Sequence, residues 1–544
     1  MTLSSLLFAG KAVSLTSFFS VAYCAVFLPV CVLIYTVVPP KAKKYLLLFA
    51  SYLFFWLISG KLVVYLILTT FSIHYFGIWI DRTRKNMLTA AASADAESKK
   101  IIKNKFVVRL RTILCISIVV HIGILLIIKY SAFFSINFNT LLSLLNAGYE
   151  LQIPKYIMPI GISFFTLQAL SYIIDVYNGI TTADDNILRL ALFISFFPQI
   201  IEGPICRYNQ TAQQLWNVQQ IRYENLTFGI QRILFGLLKK IVIADRLNPF
   251  VNAVFSDHSE FGGGVIALAA VCYTVQLYMD FSGTMDAVIG SAQIFGIDMP
   301  ENFRRPFFSR SISEFWKRWH ITLGTWFRDY LFYPISTSRT MKKLTSVSRK
   351  KIGNHYGPLL AGSIALLCVW FCNGLWHGAA WHFIFFGIYH FALILTENLI
   401  SPVVTSLNKK LHIKTECRIY RSFQIIRTAL LVVIGELFFR AVSLSAGFSM
   451  FGKIFTDFSF RAADGKSWTQ FGTDPLDFLI VIFTLAVVFA VSCLNEKNIS
   501  VRLTLAKQHI AVRWATLYAM IIFIVIFGAY GFGYSAVDPL YAQF

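Results

Sequence analysis

What most limits how this chain can fold is a succession of long apolar runs without charge, the first reaching from Ala12 to Pro40. A bilayer crossing takes about 20 predominantly apolar residues, and this run exceeds that. It is too long for the apolar part of a signal peptide and has no basic segment before Lys11, so it reads as a retained span. Further runs lie near residues 45–58, 62–80, 107–129, 156–177, 187–201, 226–244, 263–281, 357–373, 378–397, 425–445, 476–494 and 512–533. The expectation is an all-α polytopic membrane protein. Several runs are short or carry Pro, Gly or charge, which predicts re-entrant or broken helices, tolerated at depth only where protein or water satisfies the backbone.

The formal net charge of +22 would suit a nucleic-acid binder, but only 14% of the residues are charged and 56% are hydrophobic. In such a chain the excess of cytoplasmic Lys and Arg on membrane proteins is the better account, with membrane lipid and no nucleic acid as partner. Basic clusters fall at Lys41, Lys43 and Lys44, then at Arg82–Arg111, Arg339–Lys351, Lys409–Arg427 and Lys497–Arg513. Placing all of them in the cytoplasm gives a consistent count of crossings with both termini outside. The turn holding Trp376 and His377 then lies away from the cytoplasm or at mid-depth. Nine cysteines show no C-x-x-C spacing, and Cys368 and Cys372, one helical turn apart, read as neighbouring small core residues, so neither a metal nor a disulfide is expected. Neither an internal repeat nor a matched pair of interrupted helices favours a secondary transporter.

Chemistry concentrates in NGLWHGAAWHFIFFGIYH, Asn373–His390. An ionisable side chain at membrane depth is costly and is by default a functional candidate. His377 is the candidate general base, since a desolvated imidazole stays neutral and accepts a proton from a hydroxyl. Asn373, one turn earlier, is placed to orient the imidazole or a carbonyl oxygen, and Trp376 adjoins the base. His382 and His390 read as members of a polar seam. A second block, Ser313–Asp329, segregates on a helical wheel, with Glu314, Lys317, Arg318, Thr325 and Arg328 opposite Ile312, Trp316, Trp319, Leu323, Trp326 and Phe327. This predicts one amphipathic interfacial helix with His320 at the edge of its apolar side. The prolines of FFPQIIEGPICRY predict a re-entrant turn around Glu202.

Taken together, PENFRRPFFSRSISEFWKRWHITLGTWFRDYLFYPI, GLWHGAAW and ELFFRAVSLSAGFSMF resemble the membrane-bound O-acyltransferase superfamily in its bacterial branch, which acylates alginate, peptidoglycan, cellulose or teichoic acid. The likeness runs from about Met158 onward. It implies a helical bundle with re-entrant and interfacial helices around a central tunnel, a single domain over residues 1–544, with a core of about 110–400 and C-terminal spans and tail at 401–544. It implies that His377 is catalytic and His320 a second important histidine. Where many relatives have a Gly-Gly-Asn-Arg turn, this chain has STSRTMKK.

The resemblance also implies a cytoplasmic acyl thioester donor, acetyl-CoA, with no tightly bound cofactor. Arg304, Arg305, Arg310, Lys317 and Arg318 are then candidates for the donor's phosphates. The expected acceptor is an exported or cell-envelope polysaccharide, the expected partner a secreted or periplasmic esterase-like acyltransferase, and the expected location a bacterial inner membrane. D-alanyl transfer to teichoic acid, a transporter using its histidines as proton relays, and a silent scaffold are the rival readings. The last residues, DPLYAQF, partly match an aromatic acyl-carrying motif of related systems, which nominates Tyr541 as the first acceptor hydroxyl.

Overall fold

The computed structural model describes residues 18–20, 22–217, 219–462 and 473–530. Among these residues the architecture is all-α, and the one extended pairing is an isolated bridge between Phe261 and Ala462. Eight described helices are long and apolar enough to cross a membrane, so the protein is a multi-pass membrane protein. The chain divides into two compact units.

The first unit comprises the described residues of Met1–Gly229 and Val288–Pro300. It begins with α1 (Leu28–Val37), α2 (Pro40–Ser59), α3 (Val63–Ala92) and α4 (Ala96–Leu144). Proline opens α2, where its missing N–H costs nothing. Asp95 caps α4 by accepting the backbone N–H groups of Glu97 and Ser98. Helix α5 (Ile162–Asn178) is buried along nearly its whole length, so the apolar run read as a span meets protein on its faces. Its entry at Gly161 has φ +76°, and a Cβ there would stand 2.0 Å from the Ile200 carbonyl oxygen.

The run near 187–201 is not a span. Helix α6 (Ile187–Ser195) has nine residues and stops before Pro198, which cannot donate and pushes the residue ahead of it out of helical geometry. The Gln199 amide donates to the Phe193 carbonyl (2.6 Å), satisfying the helix end, and the chain turns through Glu202 and Pro204. Helix α7 (Tyr208–Trp216) follows, then α8 (Tyr223–Leu237), which continues into the second unit.

The second unit comprises the described residues of Ile230–Ala287 and Glu301–Phe544. After α9 (Asp245–Ser256), helix α10 (Gly263–Ile294) packs on α8 at backbone distance. A Cβ on Gly236 would lie 2.5 Å from the Gly283 carbonyl oxygen. The charges along this seam are paired, as charges at membrane depth must be. Asp286 takes Arg232 (3.0 Å) and Lys239 (2.7 Å), while buried Lys240 bridges Asp245 (2.8 Å) and Asp280 (2.6 Å).

The single amphipathic helix expected over Ser313–Asp329 is two helices, α11 (Ile312–Arg318) and α12 (Ile321–Phe327). The break is at His320, in left-handed geometry at φ +45°. Its cause lies outside the segment, because Asn302 accepts the first backbone N–H groups of α12 and draws the chain aside. Helix α13 (Arg339–His377) bends at Gly353 and ends on the candidate base. It is followed by α14 (Trp381–Lys410), α15 (Arg418–Arg440), α16 (Leu444–Thr456), α17 (Pro475–Glu496), α18 (Val501–Ala506) and α19 (Ile510–Phe527).

Candidate active site

His377 is the last residue of α13, and the glycines around it decide how closely α14 approaches. A Cβ on Gly374 would sit 2.4 Å from the Phe383 carbonyl oxygen, and one on Gly378 2.3 Å from the Phe383 ring. Without side chains at these positions, α14 folds back over the histidine. The imidazole is 3% exposed. It meets Trp376 and Phe439 edge-on, each at 5.0 Å between ring centres, and Phe386 at 5.9 Å. Asn373 is also buried, one turn earlier, and its carbonyl oxygen has no hydrogen-bond partner among the described residues.

His320 comes to the same place from the α11–α12 turn. It is 3% exposed and lies 4.8 Å from Phe281 and 5.6 Å from Trp376, ring centre to ring centre. Trp376 thus touches both imidazoles. The Asn302 side-chain oxygen faces three groups: Thr322 N (3.1 Å), Thr322 Oγ1 (2.9 Å) and His320 Nδ1 (3.2 Å). A backbone N–H can only donate, so the Asn302 atom facing Thr322 N is its oxygen. His320 Nδ1 therefore carries the proton, and Nε2 is the basic nitrogen. The turn lies outside the eight membrane-spanning helices, and burial pushes the imidazole down to about 3, which keeps it neutral.

The basic residues singled out in the sequence separate into two kinds. Arg305 and Arg318 converge on Glu496, at 2.5 and 3.1 Å, and Arg318 also pairs with Glu314 at 2.7 Å. Arg304 and Lys317 are exposed. Arg304 and Arg305 line a cavity of about 820 Å³ together with Arg232, Lys239 and Arg502, and α17 and α19 add apolar side chains to its lining, Val487, Val488 and Phe523 among them. Phe303 and Tyr278 form part of the wall, and Phe303 meets Phe281 at 5.0 Å. Two aromatic rings, Phe303 and Phe281, thus bridge the cavity wall and His320.

The remaining histidines of the motif diverge. His382 is half-buried against Phe383, whereas His390 is fully buried and accepts the Trp316 indole N–H through Nδ1 (3.2 Å). Tyr541 lies outside the described residues. Sequence reasoning missed Asn302, Arg502 and the partnership of Trp316 with His390. Asn302 carries no signal of its own, while Arg502 was present only as part of a basic cluster.

The arrangement is that of a membrane-embedded enzyme with two imidazoles buried around one indole. The membrane-bound O-acyltransferase family matches residues 181–349, which include His320. A probable alginate O-acetylase of Azotobacter vinelandii is 31% identical over 441 residues, covering 81% of this chain and 78% of that protein. A peptidoglycan O-acetyltransferase of Helicobacter pylori is 32% identical over 303 residues, 51% of this chain and 53% of the relative. A teichoic acid D-alanyltransferase of Bacillus subtilis is 33% identical over 245 residues, 44% and 58% respectively. The chain belongs to the membrane-bound O-acyltransferase family.

Proposed function

We propose that this protein transfers an acetyl group from cytoplasmic acetyl-CoA across a bacterial inner membrane for O-acetylation of an exported or cell-envelope polysaccharide. The observation that carries the reading is the meeting of His320 and His377 at Trp376 in a protein of this family. The similarity to alginate and peptidoglycan O-acetyltransferases over much of the chain supports the acetyl group and the polymer class.

In this reading the 820 Å³ cavity receives the donor. Its cations, Arg304 and Arg502 foremost, hold the phosphates, and the thioester points along the Phe303–Phe281 wall toward the histidines. His377 takes the proton from an acceptor hydroxyl as the hydroxyl oxygen bonds to the thioester carbonyl carbon. The carbon–sulfur bond then breaks, and the proton leaves on the thiol. Asn373 orients the imidazole or the thioester oxygen. Tyr541 is the first acceptor hydroxyl, and a secreted esterase-type partner moves the group onward to the polymer.

The test is to incubate protein in proteoliposomes with acetyl-CoA labelled in the acetyl group. Labelled protein, with the mass of one acetyl group on the Tyr541 peptide, supports the reading. Absence of label unless a carrier-protein thioester is supplied would instead support D-alanyl-type transfer. Full polymer acetylation by Tyr541→Phe would remove Tyr541 from the scheme while leaving the histidines in it.

A further inference from the structure

Two side chains on one face of α14, two turns apart, both reach across to α11. Glu397 accepts the backbone N–H of Ile312 at 2.9 Å with one carboxylate oxygen and that of Ser313 at 3.3 Å with the other. His390 accepts the indole N–H of Trp316 at 3.2 Å. Helix α11 has seven residues and cannot hold a place by its own hydrogen bonding. Its first N–H groups have no intrahelical acceptor, and Glu397 supplies one from another helix, with its charge on the favourable end of the dipole. Ser311 takes the next, accepting from Glu314 N at 3.1 Å. From α15, Arg427 donates to the Arg310 carbonyl at 2.8 Å.

The second hold is equally confined. The Trp316 indole lies 4.8 Å from Trp370, on α13, and 4.8 Å from His390. The far side of the His390 ring is closed by α15, where a Cβ on Gly435 would stand 2.6 Å from Nε2. The imidazole has no room to turn. Helix α11 is therefore fixed at its first turn and at its middle by the helix that starts beside His377, and it ends two residues before His320.

We propose that Glu397 and His390 are positioning residues that set the placement of His320 relative to His377 through α11. This rests on the reading of those two histidines as the reaction centre. Displacing a reacting group by about 1 Å costs up to about 100-fold in rate, so the effect belongs in kcat and not in donor binding.

The experiment measures thiol release from acetyl-CoA by the full chain in proteoliposomes over a range of donor concentrations. Glu397→Ala and His390→Leu should lower kcat roughly 10- to 100-fold with KM unchanged. Glu397→Gln and His390→Gln, which each retain an acceptor, should recover most of it. Adding Trp316→Phe to His390→Leu should cost nothing more, because both remove the same bond. Unchanged kcat in monodisperse Ala and Leu variants, or Gln variants as impaired as these, overturns the proposal. Should His390→Leu fail to fold, Trp316→Phe alone takes its place, and should Glu397→Ala fail, Glu397→Ser takes its place; unchanged kcat in the replacement overturns the proposal. His320→Gln is assayed beside them. Full activity there sinks the reading of the site, whereas loss there with intact His390→Leu and Glu397→Ala sinks only the positioning role.

Discussion

Trp376, near the end of α13, and His320, in the turn between α11 and α12, meet edge to face with ring centres 5.6 Å apart, and the same indole lies 5.0 Å from His377. The one ring packs against two buried imidazoles without fixing them to each other.

His377→Gln is expected to lower acetyl transfer by at least about 100-fold, the lower end of what a positioned general base contributes. Gln keeps a polar group of similar length, so the protein should still extract as a monodisperse species. Thiol release in proteoliposomes is the measurement, and turnover within a factor of two of the parent would exclude His377 as the base.

Gly374→Ala should be worse than its size suggests. The added methyl would press on the Phe383 carbonyl oxygen from 2.4 Å, which is backbone and cannot swing away. Overpacking of this kind costs about 1–3 kcal/mol. A lowered melting temperature in detergent together with loss of activity is expected, because α14 is pushed off the histidine. Parent-like melting and turnover would show that the helices part without consequence.

Lys240→Met removes the cation that Asp245 and Asp280 share and leaves two carboxylates facing each other. Breaking a buried ion pair from one side costs about 3–5 kcal/mol. The triple variant that also carries Asp245→Asn and Asp280→Asn should regain much of that loss. Thermal melts of the two variants compared with the parent decide the matter, and equal destabilisation in both would refute the pairing account.

The pH dependence of stability should carry a signature of His320. Burial lowers its folded value to about 3 against an ordinary 6.5, so between these limits the unfolded chain binds a proton that the folded chain refuses. Stability from this residue is complete above about pH 6.5 and falls as the pH drops toward 3, by up to about 1.4 kcal/mol per unit. His320→Gln should show a shallower loss on acidification between pH 6.5 and 5. Identical slopes would mean that His320 titrates normally in the folded protein.

The class of fold was legible because uncharged runs of span length leave few alternatives. Which runs face lipid was not, since protein and lipid are equally apolar neighbours. Thus α5 reads like a span and is buried, and in the run near 187–201 the helix α6 ends at Ser195. His377 was legible because an imidazole between glycines in an apolar run is conspicuous. The break at His320 was not, because the hydrophobic period continues through it and the residue that causes it, Asn302, precedes the segment. Glu397 and Trp316 were hidden for a similar reason, as their partners are remote in sequence. The Arg305 and Arg318 side chains looked alike with Arg304 until Glu496, from a distant helix, set them apart.

The oxygen of Asn302 has one further consequence, for the direction of proton traffic. With the proton of His320 committed to that oxygen on Nδ1, the ring offers a lone pair on Nε2. Held at about 3 by burial, that nitrogen is too weak a base to keep a proton at neutral pH. A carbonyl oxygen gathering negative charge would find repulsion at its lone pair, so in the proposed acyl transfer His320 can accept a hydrogen bond while His377 takes the proton, and stabilisation of the developing oxyanion falls to other donors.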